Sequence, residues 1–172
     1  PGWLVRLRLG AYSHARTATA TALSNNAGAF PAPAPNSNNP LPEGVVPPDF
    51  SRAIAQTAAH LLPEIPTGNG FCMYIRRQCI DEVGLFDERE LPRGYGDAND
   101  FCRRARDTGW RHVIDDSTWV LHDRSSRSSG EPKERVANAT EHVNRHHAVC
   151  SSLRASTTLE SVFRRLGQVA AA

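Results

Sequence analysis

No run in this sequence is apolar for long enough to cross a bilayer. The N-terminus has no basic region followed by an apolar core, so no signal peptide is read there. Cysteine is scarce, and Cys72, Cys79, Cys102 and Cys150 are too widely spaced to form a C-x-x-C pair. That spacing argues against a structural zinc site, and a disulfide framework is not expected in a chain of this size. All four are read as reduced thiols, mostly buried, and the cytoplasm is the expected compartment. Charge of one sign is lacking too. Twenty basic residues against 18 acidic ones leave a formal net charge of +2, with no strong footprint for nucleic acid or a membrane surface. Apolar residues make up only 40% of the chain, while proline and glycine contribute 12 each, an apolar-poor composition for a globular protein. Even so, 172 residues suffice for one domain with a real core. The sequence opens "PGWLVRLRLGAYS" without an initiator methionine, as expected of a processed chain or a piece of something longer.

What is present is a series of short periodic segments. Pro1 suits the first turn of a helix, with Trp3, Leu4, Leu7 and Tyr12 as its apolar stripe. "TATATAL" alternates small and β-branched residues and predicts a strand. From Ser24 to Pro48 repeated prolines exclude a regular ladder, and a loop of this length is usually functional or disordered. Phe50 to Leu62 has helical periodicity. Phe71, Met73 and Ile75 alternate as a strand, and Arg77 to Val83 reads as a helix stopped by Gly84. Asp100 to Thr108 predicts another helix, stopped by Gly109. "WRHVIDDSTWVLHDRSS" predicts two short strands around a turn at Asp115 and Asp116. Beyond it lie a flexible polar stretch from Ser125 to Gly130, a polar helix from Glu131 to Arg145 and an amphipathic one from Thr158 to Ala170. No internal repeat is visible.

Chemistry concentrates in "RGYGDANDFCRRARDTGW", where Asp97 and Asp100 stand three apart around Asn99, in front of a helix. Asp100 could cap that helix, whereas Asp97, in a glycine-flanked loop, is better placed to face a ligand. His122 follows "STWVL" at the end of a predicted strand, where a side chain reaches a crevice and a neutral imidazole serves as metal ligand or base.

In order, the features "TGNGFCMYIRR", "VGLFDE", the acidic loop before "DFCRRARDTGW" and a histidine after a hydrophobic strand form a specific set. The whole run from Pro66 to His122 resembles the acceptor-side half of a family-two glycosyltransferase with the GT-A fold. The similarity extends over residues 1–129, including "PGWLVRLRLGAYS" and "ATALSNNAGAFPAP", and leaves 130–172 as a C-terminal helical tail. The resemblance implies an α/β architecture, a partial GT-A fold of the Rossmann-like nucleotide-diphospho-sugar transferase type, with 24–48 as a long irregular loop. It implies inverting transfer of a sugar from a nucleotide-sugar to an acceptor hydroxyl on a saccharide or lipid-linked acceptor. A carboxylate would deprotonate that hydroxyl, and a divalent metal, Mn or Mg, would offset the departing charge. Carried over residue by residue, Thr67, Gly68, Asn69 and Gly70 line the donor and acceptor region, and His122 ligates the metal. Asp100 is a structural or acceptor-facing carboxylate, with Asn99 and Arg103 beside it, and Arg104 shares the first turns of the helix.

Two departures follow from the same comparison. The family's loop carries paired acids, the second being the base. Aligned on "DFCRRARDTG", Asp97 falls on the first and Ala98 on the second, so Asp97 is the candidate base. Family members also place an Asp-x-Asp segment and a nucleotide-binding half-sheet before the "PGW" stretch, and the sequence has no counterpart of either. The chain alone is therefore expected to be an incomplete transferase, with a homodimer or a partner chain covering its exposed sheet. The alternative is a non-catalytic remnant acting as a partner-binding or structural protein. A metal-dependent hydrolase would need more histidines and a closer acid pair.

Three further signals are read as ordinary. His142 and His146 in "EHVNRHH" stand four apart but lack the acid of a metalloprotease motif. "RLRLGAYSHAR" has no aromatic interleaving suited to bases, so no nucleic acid is expected. "LESVFRRLGQVAA" suits a docking helix, with peripheral membrane contact the weaker option.

Overall fold

The computed structural model describes residues 2–26, 31–32, 38–87 and 96–123, together with Arg164. Outside the described residues lie the expected polar stretch at 125–130, the helix at 131–145 with His142 and His146, and Cys150. Most of the expected terminal helix is also outside them, Arg164 being its one described residue, exposed and helical.

Among the described residues from 2 to 123, eight elements follow one another: α1 (Trp3–Ala11), β1 (Thr17–Ser24), α2 (Pro47–Thr57), β2 (Glu64–Ile65), β3 (Met73–Ile75), α3 (Arg77–Val83), α4 (Asp97–Asp107) and β4 (Arg111–Val120). The strands form one mixed sheet in the order β2-β4-β1-β3. The central pair β1–β4 is parallel, while β3 and β2 run antiparallel to β1 and β4 respectively. This is a small mixed α/β fold. Among the described residues, no helix is long and apolar enough to cross a membrane.

All eight residues of "TATATALS" are buried, because β1 is covered on both faces. Ala20 and Ala22 meet Leu7 and Ala11 of α1 together with Val113. The β1–β4 register skips Ala18, and this bulge puts Ala18 in the other core, with Cys79, Phe101, Cys102, Ala105 and Trp110. Thr19 and Thr21, alternating with Ala20 and Ala22, turn toward the α4 side.

The expected stripe on α1 is corrected. Leu7, Gly10 and Ala11 are buried, whereas Trp3, Leu4 and Tyr12 are 46%, 53% and 53% exposed. The reason is close approach: a Cβ on Gly10 would stand 3.3 Å from both the Ala20 Cβ and Leu62 Cδ2, so the helix meets the sheet along its small-residue side. Helix α2 begins earlier than expected, with Pro47 in its first turn, and ends at Thr57. His60 and Leu62 then adopt positive φ values of 53° and 45°, and the Asp116 carboxylate accepts the Leu61 and Leu62 N–H groups at 3.1 and 3.4 Å. Leu61 and Leu62 are therefore not helical.

The two strands expected around a turn at Asp115 and Asp116 are one ten-residue strand, β4. Its register against β1 jumps between Asp115 and Trp119. Asp115 makes that irregularity locally: its carboxylate accepts the Ser117 N–H at 3.0 Å and the Ser117 and Thr118 hydroxyls at 2.6 and 2.7 Å. Such side-chain bonds usually write a turn; inside a buried strand they write a bulge. Helix α3 matches its expected limits, ending at Gly84 with φ 91°. Cys79 and Cys102 are buried free thiols, and Cys72 is half-buried.

Candidate functional site

The parallel pair β1–β4 sets the geometry, since both strands end at one edge of the sheet, at Ser24 and Val120. Crevices outside the carboxyl ends of parallel strands are the usual ligand positions of open α/β sheets. Three segments reach this edge. Residues 25–26 follow β1, His122 follows β4, and the Thr67–Phe71 loop leads into antiparallel β3, with the Cys72 carbonyl accepting the Ala22 N–H at 3.1 Å.

The Thr67–Gly70 loop docks on both β1 and α4. Asn69 N–H donates to Thr21 Oγ1 at 3.1 Å, and Gly68 N–H to Cys102 Sγ at 3.3 Å. Thr67 Oγ1 meets Asn99 Oδ1 at 3.1 Å. Gly68 allows no side chain: a Cβ there would collide with Met73 Sδ and stand 2.8 Å from Thr21 Oγ1. At Gly70 a Cβ would stand 3.4 Å from the Ala98 Cβ. The loop and the first turn of α4 thus form one rim.

Helix α4 starts at Asp97, three residues before the expected Asp100, after Gly96 with φ 87°. Asp97 lies in the first turn, and its Oδ1 accepts the Ala98 N–H at 2.8 Å. Asp100 is not a cap. Its carboxylate accepts from Arg103 at 3.1 Å and from Arg104 Nε at 2.7 Å, while Arg104 also donates to the carbonyls of Val83 and Leu85 at 2.7 and 2.9 Å. Asp100 therefore braces α4 against the end of α3. Arg103 is exposed and shared between Asp100 and Asp107.

His122 joins the rim through Phe71, with ring centroids 5.0 Å apart and planes 18° from parallel. Its N–H donates to Asn25 Oδ1 at 2.7 Å, and its Nδ1 meets the Asn26 carbonyl at 2.8 Å. A carbonyl only accepts, so Nδ1 carries the proton and Nε2 keeps the lone pair. This is the arrangement of metal-ligating histidines. His122 fits one coordination position, but among the described residues no group of three or more His, Cys, Asp or Glu could hold a metal ion. Asn25, Asn26 and Phe71 were missed from sequence; their only signal was their place in the quoted stretches "ATALSNNAGAFPAP" and "TGNGFCMYIRR".

Behind the rim, His112 is fully buried. Thr19 Oγ1 donates to its Nδ1 at 2.8 Å, and its Nε2 donates to the Cys102 carbonyl at 3.0 Å. Burial pushes its pKa down to about 4, against the Cys102 carbonyl bond, with Arg106 lowering it further. It stays neutral and ties β1, β4 and α4 together. Burial likewise pushes the Cys102 thiol up, against the Gly68 N–H that it accepts. The chain matches no family model, no curated protein and no solved structure.

Proposed function

We propose that this chain carries the acceptor side of an inverting glycosyltransferase that moves a sugar from a nucleotide-sugar to an acceptor hydroxyl. One observation supports the reading above the rest. Thr67–Gly70, Asp97–Asn99 and His122, singled out from separate parts of the sequence, meet at the carboxyl edge of β1 and β4 through Thr67–Asn99, Gly70–Ala98 and Phe71–His122.

In this proposal Asp97 takes the acceptor proton on Oδ2, since Oδ1 is engaged by the Ala98 N–H. The acceptor oxygen forms its bond to the anomeric carbon as the bond to the nucleotide diphosphate breaks, and that electron pair leaves with the diphosphate. A divalent metal, Mn or Mg, would supply charge neutralisation at the diphosphate, with His122 Nε2 as a single ligand from this chain. Gly70 lets backbone approach the substrates, while Gly68 seats the loop on β1. Asp100, with Arg104, holds the rim in place. The nucleotide-binding half that the resemblance puts ahead of Pro1 completes the GT-A unit in this reading.

A second reading, a non-catalytic remnant that binds a partner, is favoured by Ala98. The side chain at the second-acid position is a methyl group set beside Gly70, which takes no proton.

Calorimetric titration of the purified chain with a panel of nucleotide-sugars, with and without manganese, tests the choice. Saturable, metal-dependent binding would mean that the residues present rebuild a donor site, and the transferase reading would then stand. No binding by a chain shown to be folded would sink an autonomous donor site, leaving an acceptor side that awaits its other half or the second reading.

A further inference from the structure

Asn25 occupies the point where the parallel ladder stops. Ser24 pairs with Val120, and beyond them the β1 and β4 backbones no longer pair. The Asn25 carboxamide takes over: Oδ1 accepts the His122 N–H at 2.7 Å, and Nδ2 donates to the His122 carbonyl at 3.4 Å. A carboxamide has the same donor and acceptor as a peptide unit, so this side chain stands in for one more rung. Because a side chain makes the rung, the backbone is released and the Asn26 carbonyl turns to His122 Nδ1, at 2.8 Å. Asn25 is itself held. It is 9% exposed, the Ser24 hydroxyl donates to its Oδ1 at 3.1 Å, and its carbonyl accepts Asn39 N at 3.0 Å and Nδ2 at 3.2 Å. Asn39 is thereby tied to the residue that clasps His122.

We propose that Asn25 is the positioning residue for His122: by clasping the His122 peptide it keeps Nδ1–H on the Asn26 carbonyl and reserves Nε2 as the ring's lone pair. What that lone pair serves, a metal or a proton, rests on the transferase reading; the tautomer does not. The histidine side chain in water favours the opposite, Nε2–H form, so the clasp has a visible consequence. Without it the His122 backbone is free to move from residue 26 and the ring reverts toward its solution preference.

The test is nitrogen-15 spectroscopy of histidine-labelled full-length chain at about pH 8.5, above the ordinary imidazole range, with neither donor nor metal present. His122→Gln assigns the ring signals. The expected result is an Nδ1–H ring in the wild type and in Asn25→Asp, which keeps the acceptor for the His122 N–H. Asn25→Leu, which removes both bonds, is expected to convert most of the His122 population to Nε2–H. An Nε2–H ring in the wild type would overturn the proposal, as would an unchanged tautomer in a folded Asn25→Leu chain or an Asn25→Asp chain that follows the leucine variant. Should Asn25→Leu fail to fold, the wild type and Asn25→Asp still decide. Failure of nucleotide-sugar binding leaves all these spectra unaffected, so the two readings fail separately.

Discussion

Thr67 Oγ1 and Asn99 Oδ1 lie 3.1 Å apart across 32 residues of sequence, and this contact seats the small-residue loop on the first turn of α4. The loop can lie so close because Gly68 faces Thr19, Thr21 and Met73 with no side chain. Gly68→Ala is therefore expected to destabilise the fold by about 1–3 kcal/mol, the usual cost of overpacking. At Gly70 the nearest neighbour of an added Cβ is Ala98, at ordinary contact distance. Gly70→Ala is expected to leave stability within about 0.5 kcal/mol of the wild type. Urea unfolding of both variants measures the contrast, and equal effects would contradict the close docking of Gly68.

The two carboxylates of the acidic loop are expected to separate by assay. Asp97→Asn keeps an oxygen for the Ala98 N–H but removes the proposed base. It should leave the unfolding midpoint near the wild-type value while lowering sugar transfer by the completed GT-A unit by about 10²- to 10⁴-fold. Asp100→Asn weakens the brace between α4 and the carbonyls of Val83 and Leu85. With both side chains of the Asp100–Arg104 pair less than a third exposed, about 1 kcal/mol of stability should be lost. Paired denaturation and transfer measurements distinguish them, and an Asp100→Asn variant of wild-type stability would remove the bracing role.

Local signals were legible where local chemistry decides. Gly84 and Gly109 close α3 and α4 because positive φ suits glycine, and "TATATAL" reads as a strand by alternation and β-branching. The resemblance nominated the candidate residues as a set, but which of them meet depends on the sheet order. Asn25 acquires its task from His122, 97 residues away, and no spacing rule reaches that far. Similarly, the backbone after α2 is held at Leu61 by Asp116, which lies 55 residues away. "DDST" carries turn chemistry, yet burial within β4 turned it into a bulge. Trp3 and Leu4 fit a helical period, but the glycine side of α1 approaches the sheet more closely.

Arg76 closes the opposite end of the sheet and is only 8% exposed. Its Nη1 donates to the carbonyls of His14, Ala15 and Thr17 at 3.1, 2.9 and 3.3 Å, and its guanidinium lies 4.5 Å from the Tyr12 ring centroid. Arg76→Met keeps much of the volume but leaves those carbonyls without their shared donor, so a loss of roughly 2–4 kcal/mol is expected. Arg76→Lys should recover little of it, because an ammonium has no planar fork to span the carbonyls and lie over a ring. Thermal unfolding of the two variants checks this, and full recovery by lysine would show that charge alone suffices.

The last expectation concerns pH and rests on His112, which is buried between Thr19 and the Cys102 carbonyl. In the unfolded chain its imidazole titrates near the ordinary value of 6.5, whereas in the fold burial holds it down to about 4. Between those values the unfolded chain binds a proton that the folded chain refuses. The folded state is then at a growing disadvantage as pH falls, so the stability is fully present above about pH 6.5 and is lost down to about pH 4. A shift of that size corresponds to roughly 3 kcal/mol. Protonation would leave Nδ1 as a donor facing Thr19 Oγ1, a bond that survives only if the hydroxyl rotates, while Nε2 keeps its bond to Cys102. Desolvation of the cation is therefore the main cost, and Arg106 adds to it. His112→Gln, which offers a donor and an acceptor but no titration, should have lower stability at neutral pH and a flatter profile between about pH 4 and 6.5. Urea midpoints across that window for both chains decide it: parallel profiles would place the acid sensitivity on another group.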